Sequence, residues 1–366
     1  MSAGSRADRL AALAAESELD CLFVGDLVRP GDSGPDAIAN IRWLTGFTGS
    51  SGFAIVGEAR REFFTDFRYT ERAAAEVSGE FDRVTLQGRL VAELAKRFAG
   101  RVGYDEDATS VASLRKLEEA MPDGASLVAA TGLVEKLRRR KDAQEIEAIA
   151  EASRLADEVF EWLAGRGLAG KTERDVAQAA EQRMRELGAE PSFPAIVGSG
   201  PNGALPHAEP GDRLIGDGKL VVVDMGAKLA GYCSDGTRTW ATGEIAGDAR
   251  EAYELVLRAQ EQSLGAIKAG VAGAEADRVS RDPIVEAGKG DLYGHGLGHG
   301  VGLEVHEAPR LGKTSEDVLQ EGDVVTVEPG VYVPGRFGVR IEDLVVVEAS
   351  GVRNLSATPK ELRVTG

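Results

Sequence analysis

Four acidic residues interrupt or end the most apolar strand-like stretches of this 366-residue chain, and they form two pairs, each arranged about a turn. In the first, Val221-Val-Val-Asp-Met-Gly226 precedes Tyr232-Cys-Ser-Asp-Gly-Thr237, so Asp224 and Asp235 end two strand-like segments. If residues 228–231 form a hairpin loop centred between Leu229 and Ala230, these carboxylates become cross-strand neighbours on one face. In the second, Val324-Val-Thr-Val-Glu-Pro-Gly330 and Val339-Arg-Ile-Glu-Asp343 place Glu328 and Glu342 symmetrically about Gly335. Period-two alternation puts Arg340 on the face of Glu342, which suggests a buried ion pair but leaves Glu328 unexplained. Buried carboxylates this close repel one another and do not all ionise unless a cation lies between them. The plainer reading of Asp224 and Asp235 is a pair of turn aspartates.

The histidines weigh on that choice. Of four in the chain, His295, His299 and His306 fall within 12 residues, in Gly294-His-Gly-Leu-Gly-His-Gly-Val-Gly-Leu-Glu-Val-His-Glu307. Singly, each is more often structural than a ligand; clustered among glycines that let backbone and imidazoles crowd together, they favour a metal or catalytic site. Asp224, Asp235, His299, Glu328 and Glu342 together offer four carboxylates and one imidazole, enough anionic charge for two divalent ions per subunit. Oxygen-rich ligation with little sulfur suits Mn²⁺, with Co²⁺, Fe²⁺ or Zn²⁺ as alternatives. Calcium fits less well, because no EF-hand-like loop is present and histidine is a poor ligand for so hard an ion.

Composition removes several other functions. With 43 basic and 60 acidic residues the net charge is −17, which disfavours phosphate backbones and anionic lipid, so neither a nucleic acid nor a membrane partner is expected. Leu137 to Lys141 is the nearest thing to a basic patch, and it is too short. No run of about 18 apolar residues occurs, and Met1 to Asp20 lacks the apolar core of a signal peptide. Cys21 and Cys233 cannot form a disulfide framework, so a cytoplasmic setting is expected. The string Leu44-Thr-Gly-Phe-Thr-Gly-Ser-Ser-Gly52 has neither a P-loop lysine nor GxGxxG spacing, and reads as a surface or interface loop.

Along the chain, a helix near Arg6 to Ala15 and strands at Cys21 to Val24, Phe53 to Val56, Phe63 to Thr65 and Val102 to Tyr104 suggest an α/β layer, with Arg29 to Gly52 turn-rich. The basic run Lys136 to Lys141 reads as a solvated linker. Asp142, with Glu145 three residues on, predicts the start of a long helix that places Ile146, Ile149, Leu155, Val159 and Leu163 near one face. Thr172 opens a second helix that Gly188 can end. Further helices are expected around Ala249 to Lys268 and Ala274 to Ala287. Strands are expected at Leu220 to Asp224, Val324 to Tyr332 and Val339 to Val347.

The ordered set Asp224, Asp235 eleven residues later, His299 in HGLGH, Glu328 in TVEPG and Glu342 in RIED resembles the five metal ligands of the metallopeptidase family of methionine aminopeptidase, prolidase and aminopeptidase P. That resemblance covers about residues 140–366 and implies the pita-bread fold. NIRWLTGFTGSSG and FTDFRYTERA are similar to the creatinase-type N-terminal domain of the proline-directed branch, a domain that methionine aminopeptidases lack. The fold class so implied is an α/β creatinase-like N-terminal domain, residues 1–135, followed by an α+β pita-bread catalytic domain, residues 136–366. Creatinase keeps the fold without the metal site, and the intact ligand set here argues against its chemistry.

Gly198-Ser-Gly-Pro-Asn-Gly-Ala-Leu-Pro-His207 looks more like aminopeptidase P than prolidase. The resemblance therefore implies an Xaa-Pro aminopeptidase acting on peptides with proline at the second position through a hydroxide bridging two divalent ions. An Xaa-Pro dipeptidase is the alternative, and an inactive pita-bread binding protein is a third reading. It further implies Asp235 and Glu342 as bridging ligands, Asp224 on one ion, His299 and Glu328 on the other, and Glu328 also as proton shuttle. His306 would stabilise the oxyanion, His207 and His295 would shape the proline pocket, and Arg340 would stand beside the bridging Glu342. Relatives form dimers, so a homodimer is expected. Cys233 is expected to be a packed thiol rather than a nucleophile.

Overall fold

A serine begins the order of the N-terminal part. In the computed structural model, which describes residues 4–30 and 38–365, Ser5 caps the helix Arg6–Glu16 and Asp8 returns the bond to the Ser5 backbone, satisfying donors that a helix start leaves open. The chain divides into two compact units, Met1–Arg138 and Arg139–Gly366.

The first unit is built on a six-stranded mixed sheet in the order Asp82–Thr85, Arg60–Thr65, Gly52–Gly57, Cys21–Val24, Arg101–Tyr104, Ser126–Ala129. Cys21–Val24 lies inside it, antiparallel to Gly52–Gly57 and parallel to Arg101–Tyr104, and is buried along its whole length. Successive residues point to opposite faces of the sheet, so burial on both faces is why it reads as a continuous apolar run rather than an alternating one. Phe23, Phe53, Phe64 and Phe98 fill the core on one face.

Two expectations for this unit are corrected. The turn-rich stretch contains a helix, Ala39–Thr45, whose buried Trp43 lies under the Arg6 and Arg9 guanidinium groups at 5.1 and 5.7 Å; residues 31–37 of that stretch lie outside the described residues. The string 44–52 is mostly buried rather than a surface loop, because Phe47 packs on Phe63 and Tyr69.

In the second unit both expected helix starts form, each with a capping box. Asp142 with Glu145 opens the helix Ala143–Gly165, and Thr172 with Asp175 opens Glu173–Glu186. This helix pair buries Leu155, Val159, Phe160, Val176 and Met184 against Val221, Val223 and Trp240 of the strands Leu220–Asp224 and Thr237–Ala241. A second pair, Gly247–Ala266 and Gly273–Glu286, packs Val256, Ala259 and Ile284 against Val331 and Val339. Antiparallel strands between helix pairs make this unit α+β. Among the described residues no helix is long and apolar enough to cross a membrane.

The basic run is no solvated linker. Arg138 and Lys141 are buried, and Arg139 is held by Asp317 and Asp323. Nor are the late strands continuous. Val324–Val327 pairs with Asp343–Glu348, whereas Gly330–Val333 pairs with Phe337–Arg340 in a separate hairpin. Val327 faces Asp343 and Gly330 faces Arg340, so both ladders share the register centred on Gly335, and Glu328 and Glu342 stand at the breaks between them.

Candidate metal centre and active site

The Asp224/Asp235 hairpin turns two residues, not four. Leu229 pairs with Tyr232 around Ala230-Gly231, both left-handed at φ 47° and 87°, the geometry that a tight hairpin turn requires and that glycine adopts without cost. The centre therefore moves by one residue. Thr237, not Asp235, faces Asp224, and Asp235 stands diagonally from it on the same face. The carboxylates still converge: one oxygen each of Asp224, Asp235 and Glu342 lie within 4.8 Å of one another, and all three residues are buried.

His299 joins this group from the short strand Gly298–Gly300. A side chain at Gly298 would collide with the Thr326 carbonyl, its Cβ only 2.1 Å away, so glycine lets the strand lie close against its neighbour. Nδ1 of His299 lies 3.1 Å from the Gly300 carbonyl, which can only accept, so Nδ1 carries the hydrogen and Nε2 presents a lone pair. That lone pair faces Glu328 Oε1 at 3.3 Å and Asp235 Oδ2 at 3.7 Å. The Thr326 hydroxyl fixes both sides, donating to Glu328 Oε1 and accepting from the His299 backbone N–H.

Electrostatics favour a cation at this point. Burial, and then the charges of Glu342, Asp224 and Glu328, hold the Asp235 carboxyl well above the usual carboxylate range. Burial followed by Glu328 and Asp224 does the same to Glu342, and burial is also the largest cause that pushes Glu328 up to about 7. Burial lowers His299 to about 3, so its imidazole is neutral. Oδ1 of Asp224 is buried and has no hydrogen-bond partner among the described residues. A lone pair, an orphaned carboxylate oxygen and several carboxyl groups that resist ionisation form a donor set that fits divalent metal.

Asp224, Asp235, His299, Glu328, Glu342, His207, His295, His306 and Arg340 all line one cavity of about 780 Å³. Phe193, Ile196, Val305 and Leu311 give it apolar walls. The His306 ring lies 4.4 Å from that of His299. His295 Nδ1 donates to the Gly296 carbonyl, so Nε2 accepts from the Tyr332 hydroxyl at 2.8 Å; burial lowers this imidazole to about 4.

The expected Arg340–Glu342 pair is not formed. Arg340 donates instead to Asp224 Oδ2, to the Thr237 hydroxyl and to the Tyr332 oxygen, while Glu342 accepts from Thr237 at 2.6 Å. Alternation placed Arg340 at the right site but could not say which carboxylate of a converging group it would meet. Cys233 packs with Ile149, Val301, Val324 and Leu344.

Tyr332 and Arg310 are site residues that escaped the sequence reading. Tyr332 links His295 to Arg340, and its signal, a polar tip within an apolar hairpin, is weak. Arg310 lines the cavity from the exposed side of Glu307–Leu311, and its guanidinium has no hydrogen-bond or ion-pair partner among the described residues. Its position four residues after His306 was the available clue.

Residues 147–349 match the family described as Metallopeptidase family M24, and residues 6–140 match the Creatinase/Prolidase N-terminal domain. The chain is 38% identical over 288 residues to an Xaa-Pro dipeptidase of Pyrococcus furiosus, covering 78% of this chain and 77% of the relative. The solved structure of an Xaa-Pro dipeptidase from Bacillus anthracis superposes with a TM-score of 0.91 at 38% identity, covering 98% of this chain and 99% of the other. That of an X-Pro aminopeptidase from Thermotoga maritima superposes with a TM-score of 0.88 at 34% identity, covering 98% and 100%.

Proposed function

Because this chain belongs to metallopeptidase family M24, with the pita-bread fold behind a creatinase-type N-terminal domain, we propose that it hydrolyses Xaa-Pro dipeptides with two divalent metal ions. The observation that carries the dipeptidase reading over an aminopeptidase one is Arg310. A dipeptide brings a free carboxylate to within one residue of the scissile bond, and an unpaired guanidinium on the cavity wall is its natural counterion. A longer peptide has no charge there. This reading reverses the preference drawn from Gly198–His207, and dipeptidases among the relatives support the reversal.

Asp224, Asp235, His299, Glu328 and Glu342 would hold the ions, for which Mn²⁺ is proposed on the donor set. When bound, such ions acidify water and polarise a carbonyl. The acidic side of the cavity draws the substrate's α-amine, restricting cleavage to the first bond. Phe193 and Ile196, with His207 and His295, shape the room for the side chains. Burial, and then Arg310, keep His306 lowered and hence neutral, so its ring N–H donates to the tetrahedral oxyanion. Glu328 takes the proton of the attacking water and passes it to the prolyl nitrogen, which then leaves as a neutral amine.

The test compares Leu-Pro, Leu-Pro amide and Leu-Pro-Xaa as substrates of metal-reconstituted protein. The dipeptide should be preferred, and Arg310→Gln should raise its KM by about tenfold while leaving the amide's unchanged. Equal hydrolysis of the three substrates would instead support aminopeptidase action, the reading that the Thermotoga relative and the size of the cavity favour.

A further inference from the structure

The basic run that opens the catalytic unit has a use that its position alone does not suggest. Lys141 is buried, its side chain 1% exposed, and it pairs with Glu307, 7% exposed, at 3.1 Å. Glu307 directly follows His306, and its other oxygen accepts the Glu304 backbone N–H at 3.1 Å. The pair thus closes the turn 304–307 from beneath. Two residues earlier, Arg139 spans Asp323 through Nε and Nη2, at 3.0 and 2.8 Å, and Asp317 through Nη1 at 2.9 Å. The second oxygen of Asp317 accepts the backbone N–H of Arg310 at 2.8 Å.

One basic residue therefore backs the turn of His306, and the other, through Asp317, backs the strand of Arg310. Burying a lysine and a glutamate together costs desolvation that hydrophobic packing would avoid, so such a pair is better explained by the geometry it imposes than by stability. We propose that Lys141 and Arg139 are positioning residues for the substrate-facing segment 304–317: Lys141 sets the oxyanion donor His306, and Arg139 with Asp317 sets the carboxylate-binding Arg310. The proposal rests on the roles given to His306 and Arg310 above. A displaced donor costs transition-state stabilisation, whereas a displaced counterion costs substrate binding, so the two struts have different kinetic signatures.

The experiment measures Leu-Pro hydrolysis, bound metal and thermal unfolding for Lys141→Met, Asp317→Ala and the double variant Lys141→Met/Glu307→Gln, with His306→Ala and Arg310→Gln alongside. Lys141→Met should lower kcat by about ten- to a hundredfold with KM unchanged. Asp317→Ala should raise KM for Leu-Pro by several-fold, leave kcat near wild type and leave KM for Leu-Pro amide unchanged. All should bind metal as the wild type does. Lys141→Met removes the ammonium that offsets the Glu307 charge and so risks unfolding; the double variant removes both charges, and should unfold at a temperature near the wild type while keeping the kcat defect. A double variant with wild-type kcat, or positioning variants that change kcat and KM together, overturns the proposal. If His306→Ala and Arg310→Gln show the two signatures and the strut variants show neither, the proposal falls and the dipeptidase reading stands. If the direct variants lack those signatures, the reading falls and takes the proposal with it.

Discussion

Arg340 donates to one oxygen of the Asp224 carboxylate and leaves the other, Oδ1, buried and without a hydrogen-bond partner among the described residues. Half of the carboxylate is thereby fixed and the other half kept as an available donor atom. The same guanidinium reaches the Thr237 hydroxyl, which donates to Glu342, and the Tyr332 hydroxyl, which donates to His295. One side chain thus orients an acidic residue on each of two hairpins and a histidine from a third segment.

A lysine at this position could not reproduce that fork, because an ammonium is a point donor on a flexible stem. Arg340→Lys should lower kcat/KM by about a hundredfold with the fold retained, a loss in the range expected when several reacting groups shift together. Steady-state kinetics with circular dichroism checks this, and a variant as active as the wild type contradicts the assigned role.

Asp235→Ala and His299→Ala should each reduce bound metal and abolish turnover while still unfolding cooperatively. His306→Ala should keep its metal and lose about a hundred- to a thousandfold in kcat, the range for loss of a positioned proton donor. Metal analysis of the purified variants separates the two groups. Full metal content with near-native activity in the Asp235 variant would show that residue to be misassigned.

The carboxyl groups also predict how stability depends on pH in metal-free protein. Asp235, Glu328 and Glu342 titrate higher folded than unfolded, so the folded state holds more protons and stability falls as pH rises towards and through about 7, where Glu328 ionises. His295 and His299, lowered to about 4 and about 3, work the other way: the unfolded chain takes up their protons below 6.5, and stability falls as pH falls through that range. Thermal unfolding of metal-free protein should therefore shift upwards as pH falls from about 8 to about 6.5, then gain little or reverse. Saturating Mn²⁺ should invert the upper slope, since protons then compete with the ion for the same oxygens. A metal-free protein whose unfolding temperature rises with pH across 6.5 to about 8 would argue against uncompensated carboxylates at this site.

Much of the catalytic unit was legible from local chemistry. Capping boxes at Asp142 and Thr172 start their helices where propensity and side-chain bonding agree, and the centre at Gly335 sets Glu328 opposite Glu342. What escaped depended on partners distant in sequence. The helix Ala39–Thr45 is short and held by packing of Trp43, and the strands Asp82–Thr85 and Ser126–Ala129 are carried by their neighbours rather than by an apolar pattern of their own. Which carboxylate Arg340 would meet, and that Lys141 would be buried against Glu307, rests on tertiary contact across 116 and 166 residues. Arg310 looks like an ordinary surface residue until the cavity it lines is seen, and Tyr332 like an ordinary core residue until its hydrogen bonds to His295 and Arg340 are seen.

The central claim is that five side chains from separate segments converge to hold divalent cations for peptide hydrolysis. Calorimetric titration of metal-free protein with Mn²⁺, with Leu-Pro hydrolysis followed on the same samples, tests it most directly. Two ions should bind per chain, turnover should rise with occupancy, and Glu342→Gln should lose both. Hydrolysis at full rate in protein stripped of divalent ions, or Mn²⁺ binding unaffected by Glu342→Gln, would contradict it.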